Sequence, residues 1–243
     1  MRITTLGTSH GAAEPGRFCC ATLVDVCGRR YLFDCGAPVD ALLTNRGEKI
    51  FDISAIFVSH MHEDHVSGLT TVAKRFLHYQ RGTDTKRVRI FLPEEAAVDA
   101  YLGWCRALHM RLNDDLCVEV SRAGLLYEDD VVKVTAVPTA HLSAFPTFAY
   151  MLEAEGKRIM ITGDLNADFH DYPQLLLDQD FDAVVTELTH YSFPKAFDRI
   201  ARTRTKQLIF THIYPDTLAA AQPLLPELPF QVHVASDGTH YEV

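Results

Sequence analysis

No apolar run in the 243-residue chain approaches the roughly 20 residues needed to cross a bilayer, so no membrane partner is expected. The N-terminal stretch Met1-Arg2-Ile3-Thr4-Thr5-Leu6-Gly7 has no basic-then-apolar leader pattern. Positive charge is also scarce: 23 Lys and Arg stand against 32 Asp and Glu, for a net charge of −9 with histidine neutral. That balance speaks against broad electrostatic capture of nucleic acid or anionic lipid. The six cysteines, Cys19, Cys20, Cys27, Cys35, Cys105 and Cys117, include no C-x-x-C pair. In a chain of this size they read as reduced thiols, and a cytoplasmic location is the expectation. Short-period repeats, low-complexity tracts and a linker are all absent, so residues 1–243 are expected to form one domain. Apolar residues make up 47% of the chain, enough for a sizeable core.

The informative stretch is Ser59-His60-Met61-His62-Glu63-Asp64-His65. It follows the apolar, β-branched run Ile53 to Val58 and precedes Leu69, Val72, Ala73, Phe76 and Leu77, which recur at helical spacing. The cluster therefore lies at a strand end, in the turn leading to a helix. In extended chain, residues two apart point the same way, so His60 and His62 can converge on one ion. Asp64 and His65 follow as the chain turns and can face a second ion. Imidazole nitrogen with carboxylate oxygen suits zinc, manganese or iron.

The rest of the chain reads as strands in blocks with helices between them. Strands are expected at 2–6, Ala21 to Val26, Arg30 to Phe33, Arg87 to Leu92, Leu116 to Val120, Val131 to Val137, Thr147 to Leu152, Arg158 to Thr162, Asp182 to Glu187, Gln207 to Thr211 and Phe230 to Val234. Helices are expected at Val39 to Leu43, Glu94 to Leu112, Pro173 to Leu177 and Thr217 to Leu224, with Trp104 and His109 as packing residues of the second. This order fits two packed sheets flanked by helices. Asp34, in Asp34-Cys35-Gly36, reads either as a residue that orients a ligand histidine from behind or as a turn aspartate.

The pattern H-x-H-x-D-H resembles the signature of the metallo-β-lactamase superfamily, which implies a four-layer αβ/βα sandwich, an α/β fold. The resemblance also implies further ligands at later strand ends. His141, after Val137-Pro138-Thr139-Ala140, matches a third ligand of the first metal. Asp164, after Ile159-Met160-Ile161-Thr162-Gly163, matches the bridging carboxylate. His212, after Leu208-Ile209-Phe210-Thr211, matches the last ligand of the second metal. The implied cofactor is thus two divalent ions, zinc or manganese with iron allowed: His60, His62 and His141 on one, Asp64, His65 and His212 on the other, and Asp164 between them. Asp64 and Asp164 then belong to the catalytic centre, where a bridging hydroxide attacks.

An aspartate rather than a cysteine at 164 is typical of superfamily members acting on phosphodiesters, thioesters and lactones. Glu187-Leu188-Thr189-His190, with the opening Leu6-Gly7-Thr8 and Leu32-Phe33-Asp34-Cys35-Gly36, is similar to the tRNA 3′-end-processing endonucleases (tRNase Z) and to the PhnP-like cyclic phosphodiesterases. That likeness makes His190 the proton donor to the leaving oxygen, against the plainer reading of a cap or packing histidine. The short His141–Asp164 interval leaves no room for the arm with which the endonucleases grip tRNA. A small anionic substrate and no tRNA are therefore expected, and a second copy of the chain in a homo-oligomer is allowed as a partner. Ser236-Asp237-Gly238 offers backbone amides to a phosphate, or is an ordinary turn. The function expected is hydrolysis of small, including cyclic, phosphodiesters; a lactone or thioester hydrolase and a non-catalytic metal-dependent sensor are the alternatives.

Overall fold

The computed structural model describes residues 1–80 and 85–243. Fourteen strands among the described residues form two seven-stranded sheets. In chain order the first half supplies β1 (Arg2–Gly7), β2 (Ala21–Val26), β3 (Arg29–Phe33), β4 (Ile53–Phe57), β5 (Val88–Leu92) and β6 (Leu116–Val120). The second half supplies β7 (Gly124–Glu128), β8 (Lys133–Thr139), β9 (Thr147–Ala154), β10 (Lys157–Ile161), β11 (Phe181–Leu188), β12 (Thr205–Ile213), β13 (Gln231–Val234) and β14 (Thr239–Glu242). The sheet orders are β14-β1-β2-β3-β4-β5-β6 and β13-β12-β11-β10-β9-β8-β7, so the last strand crosses back to the first sheet. The helices are α1 (Val39–Asn45), α2 (Glu63–Val66), α3 (Leu69–Lys74), α4 (Glu95–Ala107), α5 (Leu175–Asp178), α6 (Phe193–Ala201) and α7 (Pro215–Ala221). No helix among the described residues is long and apolar enough to cross a membrane.

Three buried clusters define four layers. One lies between the sheets, and one lies under the helices on the outer face of each sheet. Strand alternation explains the division. Tyr31 and Phe33 of β3 point between the sheets while Leu32 points outward, and Ala55 and Phe57 of β4 are likewise opposed to Ile56. Both faces are covered, so these strands read as continuous apolar runs. The expected αβ/βα sandwich is the fold observed.

Phe33, Phe57 and Phe91 are direct neighbours across the parallel strands β3, β4 and β5. Their rings stack at 5.1 and 5.2 Å between centroids. This row ends immediately before Asp34 and two residues before Ser59, so it sets the height from which those loops leave the sheet. Gly163 sits where β10 meets the other sheet. Its φ is +61°, and a Cβ there would lie 2.6 Å from the Ser59 Cβ, so neither conformation nor space admits a side chain.

Several boundaries differ from the sequence expectations. β7, β14 and α6 lie outside those expectations, although Phe193, Ala196, Phe197 and Ile200 of α6 recur at helical spacing. The helix expected to run to Leu112 ends at Ala107. Met110 N–H bonds to Cys105 O at 3.0 Å and His109 N–H to Arg106 O at 2.9 Å, with His109 at φ +60°. This is a Schellman closure with histidine where glycine is usual, so no glycine marked the stop. Trp104 is 58% exposed and does not pack into the core; the buried stripe is Ala97, Tyr101 and Cys105.

Because Phe57 lies fully buried between two stacked rings, Phe57→Ala is expected to destabilise the protein by about 3–5 kcal/mol. Urea titration checks this: the midpoint should fall with the slope unchanged.

Candidate metal centre

The strands β10, β11, β12 and β13 are mutually parallel, and β8 runs in the same direction because β9 is antiparallel to both β8 and β10. The C-terminal ends of β8, β10, β11 and β12 therefore share one edge, the edge at which open α/β sheets usually bind ligands. His141, Asp164, His190 and His212 follow or close these four strands. The loop after β4 is drawn to the same edge: Phe148 N–H bonds to Ser59 O at 3.0 Å and the Tyr150 hydroxyl to Val58 O at 2.7 Å. The seven residues proposed as ligands thus arrive at one place from four separate segments of chain, with His190 on a fifth.

Local backbone irregularities finish the placement. Along β11 and β12, Glu187 pairs with Thr211 and Leu188 with Ile213. His212 is the extra residue of a bulge, at φ +48°, which re-aims its side chain into the site. Asp34 is likewise left-handed at φ +57°. A non-glycine residue in that region is uncommon, and both sit at the centre.

Two constellations result. Ligand atoms of His60, His62, His141 and Asp164 lie within 4.8 Å of one another, and so do those of Asp64, His65 and His212. Asp164 lies between them. Its Oδ2 is 3.6 Å from His60 Nε2, 3.4 Å from His65 Nε2 and 3.9 Å from His141 Nε2, while Oδ1 is 3.6 Å from His212 Nδ1. Asp64 Oδ2 is 3.0 Å from His212 Nε2 and 3.3 Å from His65 Nε2.

The partners behind the histidines select the atom each presents. His65 Nδ1 bonds to Asp34 Oδ2 at 2.8 Å, His60 Nδ1 to Ser59 Oγ at 3.0 Å, and His141 Nδ1 to Leu165 O at 3.0 Å. The Ser59 hydroxyl in turn donates to Asp34 Oδ2 at 2.9 Å, and Ser59 N–H donates to Asp34 Oδ1 at 2.7 Å. With Nδ1 engaged, Nε2 is free to ligate, the usual arrangement behind a metal. Among the described residues, His65 Nε2, His141 Nε2 and both oxygens of Asp164 are buried with no hydrogen-bond partner. Buried polar atoms left unpaired are costly. Divalent cations would satisfy all four at once, so the donor set fits a metal.

Electrostatics agree. Burial, reinforced by the charge of His65, pushes His60 down to about 2. Burial works against charge on His65 too, but Asp164 and Asp34 outweigh it and hold that ring protonated. Asp64 is likewise held below the usual carboxylate range, against burial, by His212 and His65. In the metal-free chain, the proton on His65 stands where a cation would.

Glu187 was not singled out from the sequence. It is buried at the end of β11 and gathers Leu165 N–H at 2.5 Å, Thr189 N–H at 3.0 Å, His190 N–H at 2.8 Å and His190 Nδ1 at 2.9 Å. It ties the loop after Asp164 to His190, whose Nδ1 is 3.7 Å from Asp164 Oδ2. Burial alone would lower the His190 pKa, but Glu187 and then Asp164 raise it to about 9. The E-x-x-H spacing was the available signal. Ser236, Asp237 and Gly238 serve the fold: Gly238 N–H bonds to Thr5 O at 2.6 Å, and Asp237 takes the Thr8 hydroxyl and Phe18 N–H, each at 2.6 Å.

A family model described as anti-Pycsar protein Apyc1 matches residues 1–196. Ribonuclease Z of Mycobacterium marinum is 29% identical over 175 residues, covering 68% of this chain and 63% of that protein. The chain thus spans a little under two thirds of the first such relatives. Ribonuclease Z of a Picosynechococcus species is 28% identical over 290 residues, covering 94% and 90%. Among solved structures, the short form of human tRNase Z superposes with a TM-score of 0.77 at 21% identity, covering 100% of this chain and 99% of that one. A diphosphatase of the PhnP family gives 0.73 at 19%, covering 100% and 97%.

These relatives overturn the expectation that tRNA is not a partner. That expectation rested on the short His141–Asp164 interval and on net charge. The interval reports only on the segment occupied by β9 and β10, and a sum over the whole chain does not describe the potential above one edge of a sheet.

His190 yields a pH test on the metal-free protein. A histidine whose pKa rises from about 6.5 to about 9 on folding stabilises the folded chain fully below pH 6.5, and that contribution is lost as pH climbs through 9. Glu187→Gln removes the main raising influence. The denaturation midpoint of wild type should therefore fall more between pH 6 and 9 than that of the variant.

Proposed function

The chain belongs to the metallo-β-lactamase superfamily and, within it, to the family of the anti-Pycsar protein Apyc1, and from that premise we propose that it is a metal-dependent phosphodiester hydrolase, with small and cyclic diesters among its substrates. The observation that carries this reading is the pair of His/Asp constellations sharing the unpaired Asp164, with the Glu187–His190 pair beside them. The ribonuclease Z relatives support phosphodiester chemistry and keep RNA within the substrate class.

In this reading His60, His62 and His141 would hold one divalent ion and Asp64, His65 and His212 the other, with Asp164 available to both. Zinc or manganese suits the nitrogen and oxygen donors. Bound there, such ions supply a water nucleophile at neutral pH and Lewis-acid stabilisation of the phosphoryl oxygens. Asp34 fixes His65 from behind, and Ser59 couples that carboxylate to His60. Glu187 keeps a proton on His190 at neutral pH, and His190 delivers it to the departing oxygen. The same carboxylate, through Leu165 N–H, holds the loop after Asp164 in register with that donor.

Two ions per chain are expected by elemental analysis of gently purified protein, since seven ligand candidates exceed one tetrahedral site. His212→Ala should lower the metal content; an unaltered content would remove His212 from the site.

The value of His190 depends on the leaving group. General acid catalysis contributes roughly 10²–10⁴ in rate. His190→Ala should lose about that factor on a cyclic nucleotide, whose alkoxide leaves poorly, and much less on bis(p-nitrophenyl) phosphate, with metal content unchanged. Equal losses on both substrates would reduce His190 to a positioning role. Turnover of lactones or thioesters with no turnover of any diester would replace the phosphodiesterase reading.

A further inference from the structure

His65, His60 and His141 have their Nδ1 atoms engaged by Asp34, Ser59 and Leu165. For His212 the group in that place is the hydroxyl of Thr189, a residue on the neighbouring strand end. His212 Nδ1 lies 3.2 Å from Thr189 Oγ1. On the other side of the ring, Nε2 lies 3.0 Å from Asp64 Oδ2, within the constellation of Asp64, His65 and His212. The same Thr189 hydroxyl also donates to the backbone carbonyl of His212.

These two contacts leave one consistent assignment of protons. A threonine hydroxyl carries one proton and two lone pairs, and a carbonyl oxygen only accepts. The hydroxyl proton therefore goes to His212 O, and Thr189 Oγ1 is left as an acceptor. His212 Nδ1 must then carry the ring proton, which leaves Nε2 with the lone pair. The contact to the carbonyl acts on the backbone as well. His212 is the bulge residue at φ +48°. A non-glycine residue keeps such a conformation only where its surroundings hold it there.

Thr189 is itself held from three sides. Its N–H donates to Glu187 Oε2 at 3.0 Å, and its carbonyl accepts the Thr217 hydroxyl at 3.1 Å. Leu188 O, just before it, accepts Tyr214 N–H at 3.0 Å, and the Tyr214 ring packs on His10 with centroids 4.7 Å apart. His190 follows directly. Its N–H is on the same Glu187 oxygen at 2.8 Å, and its ring stacks on that of His212 at 5.4 Å and 26°. A candidate ligand and a candidate proton donor are thus set by one threonine and the carboxylate behind it.

We propose that Thr189 is a positioning residue whose hydroxyl fixes both the left-handed backbone and the ring tautomer of His212, so that Nε2 is the atom offered to a divalent ion. This deepens the metal-dependent reading of the site and rests on it. Valine has nearly the shape of threonine and no hydroxyl. At position 189 it would strip Nδ1 of its acceptor and the carbonyl of its donor, and the ring would offer Nε2 for only part of the time. Serine would keep the hydroxyl.

The test titrates metal-free wild type, Thr189→Val, Thr189→Ser and His212→Ala with zinc against a chromophoric chelator, with no substrate present. Removing the partner behind a ligand histidine lowers metal affinity by roughly 10- to 100-fold. Thr189→Val should weaken by that order the ion that His212→Ala loses and leave the other unchanged, while Thr189→Ser stays close to wild type. Long-range proton–nitrogen correlation spectra of the histidine-labelled, zinc-loaded wild type should show His212 protonated at Nδ1. Unchanged affinities in Thr189→Val overturn the proposal. So do equal losses in Thr189→Val and Thr189→Ser, which would mark a packing role, and an equal weakening of both ions. If Thr189→Val does not fold, the wild-type spectrum decides: a proton on Nε2 overturns the proposal. Should wild type bind no zinc, the metal-dependent reading fails separately. The His212 tautomer of the metal-free chain at alkaline pH then decides Thr189, with Nδ1–H supporting the clamp and Nε2–H overturning it.

Discussion

A carboxylate buried among histidines is the constraint around which this structure is arranged. Asp164 is 3% exposed, and neither of its oxygens has a hydrogen-bond partner among the described residues. A buried charge is tolerated only when paired or bound to a metal. Here His60, His65, His141, His190 and His212 surround it, each within 4 Å. Every irregular feature nearby serves that arrangement. The bulge at His212 delivers one ring, Gly163 lets β10 approach Ser59, and Asp34 turns left-handed to reach both Ser59 and His65.

The two sheets make this affordable. Four strand ends on one edge of the second sheet and two loops from the first converge because the sheets are locked face to face by Phe33, Phe57, Phe91, Tyr127 and Tyr150. A rigid core holds donors from distant segments a few ångströms apart. Supporting a site by packed elements beneath it is what holds ligand geometry. Asp34 and Glu187 extend the same logic one step outward: each is a buried carboxylate that orients a histidine and at the same time ties two segments of chain together.

The ligand run from His60 to His65 was legible because strand periodicity and ligand spacing fall in one short stretch, and local geometry decides both. The fold followed from apolar strands separated by helical segments. His141, Asp164 and His212 were legible only through resemblance, since a lone residue after a strand has no local signature. Asp34 stood open between two readings, and the structure gives it three hydrogen bonds to Ser59 and His65. The end of α4 was misread because His109 adopts the conformation for which glycine is the usual sign. Trp104 was assigned to packing because helical spacing fixes an angle around the axis and says nothing about how far the neighbouring sheet extends.

By itself, then, the amino-acid sequence determined most of the strands and helices, the apolar layers and the first run of candidate ligands, all of which depend on residues within a few positions of one another. Tertiary structure alone decided which atom of each histidine is presented, that Asp164 stands between two constellations, and that His10 meets Tyr214. These depend on pairs brought together from distant positions by sheet register and by a single bulge. No periodicity in a linear chain encodes a contact that exists only after two sheets have packed.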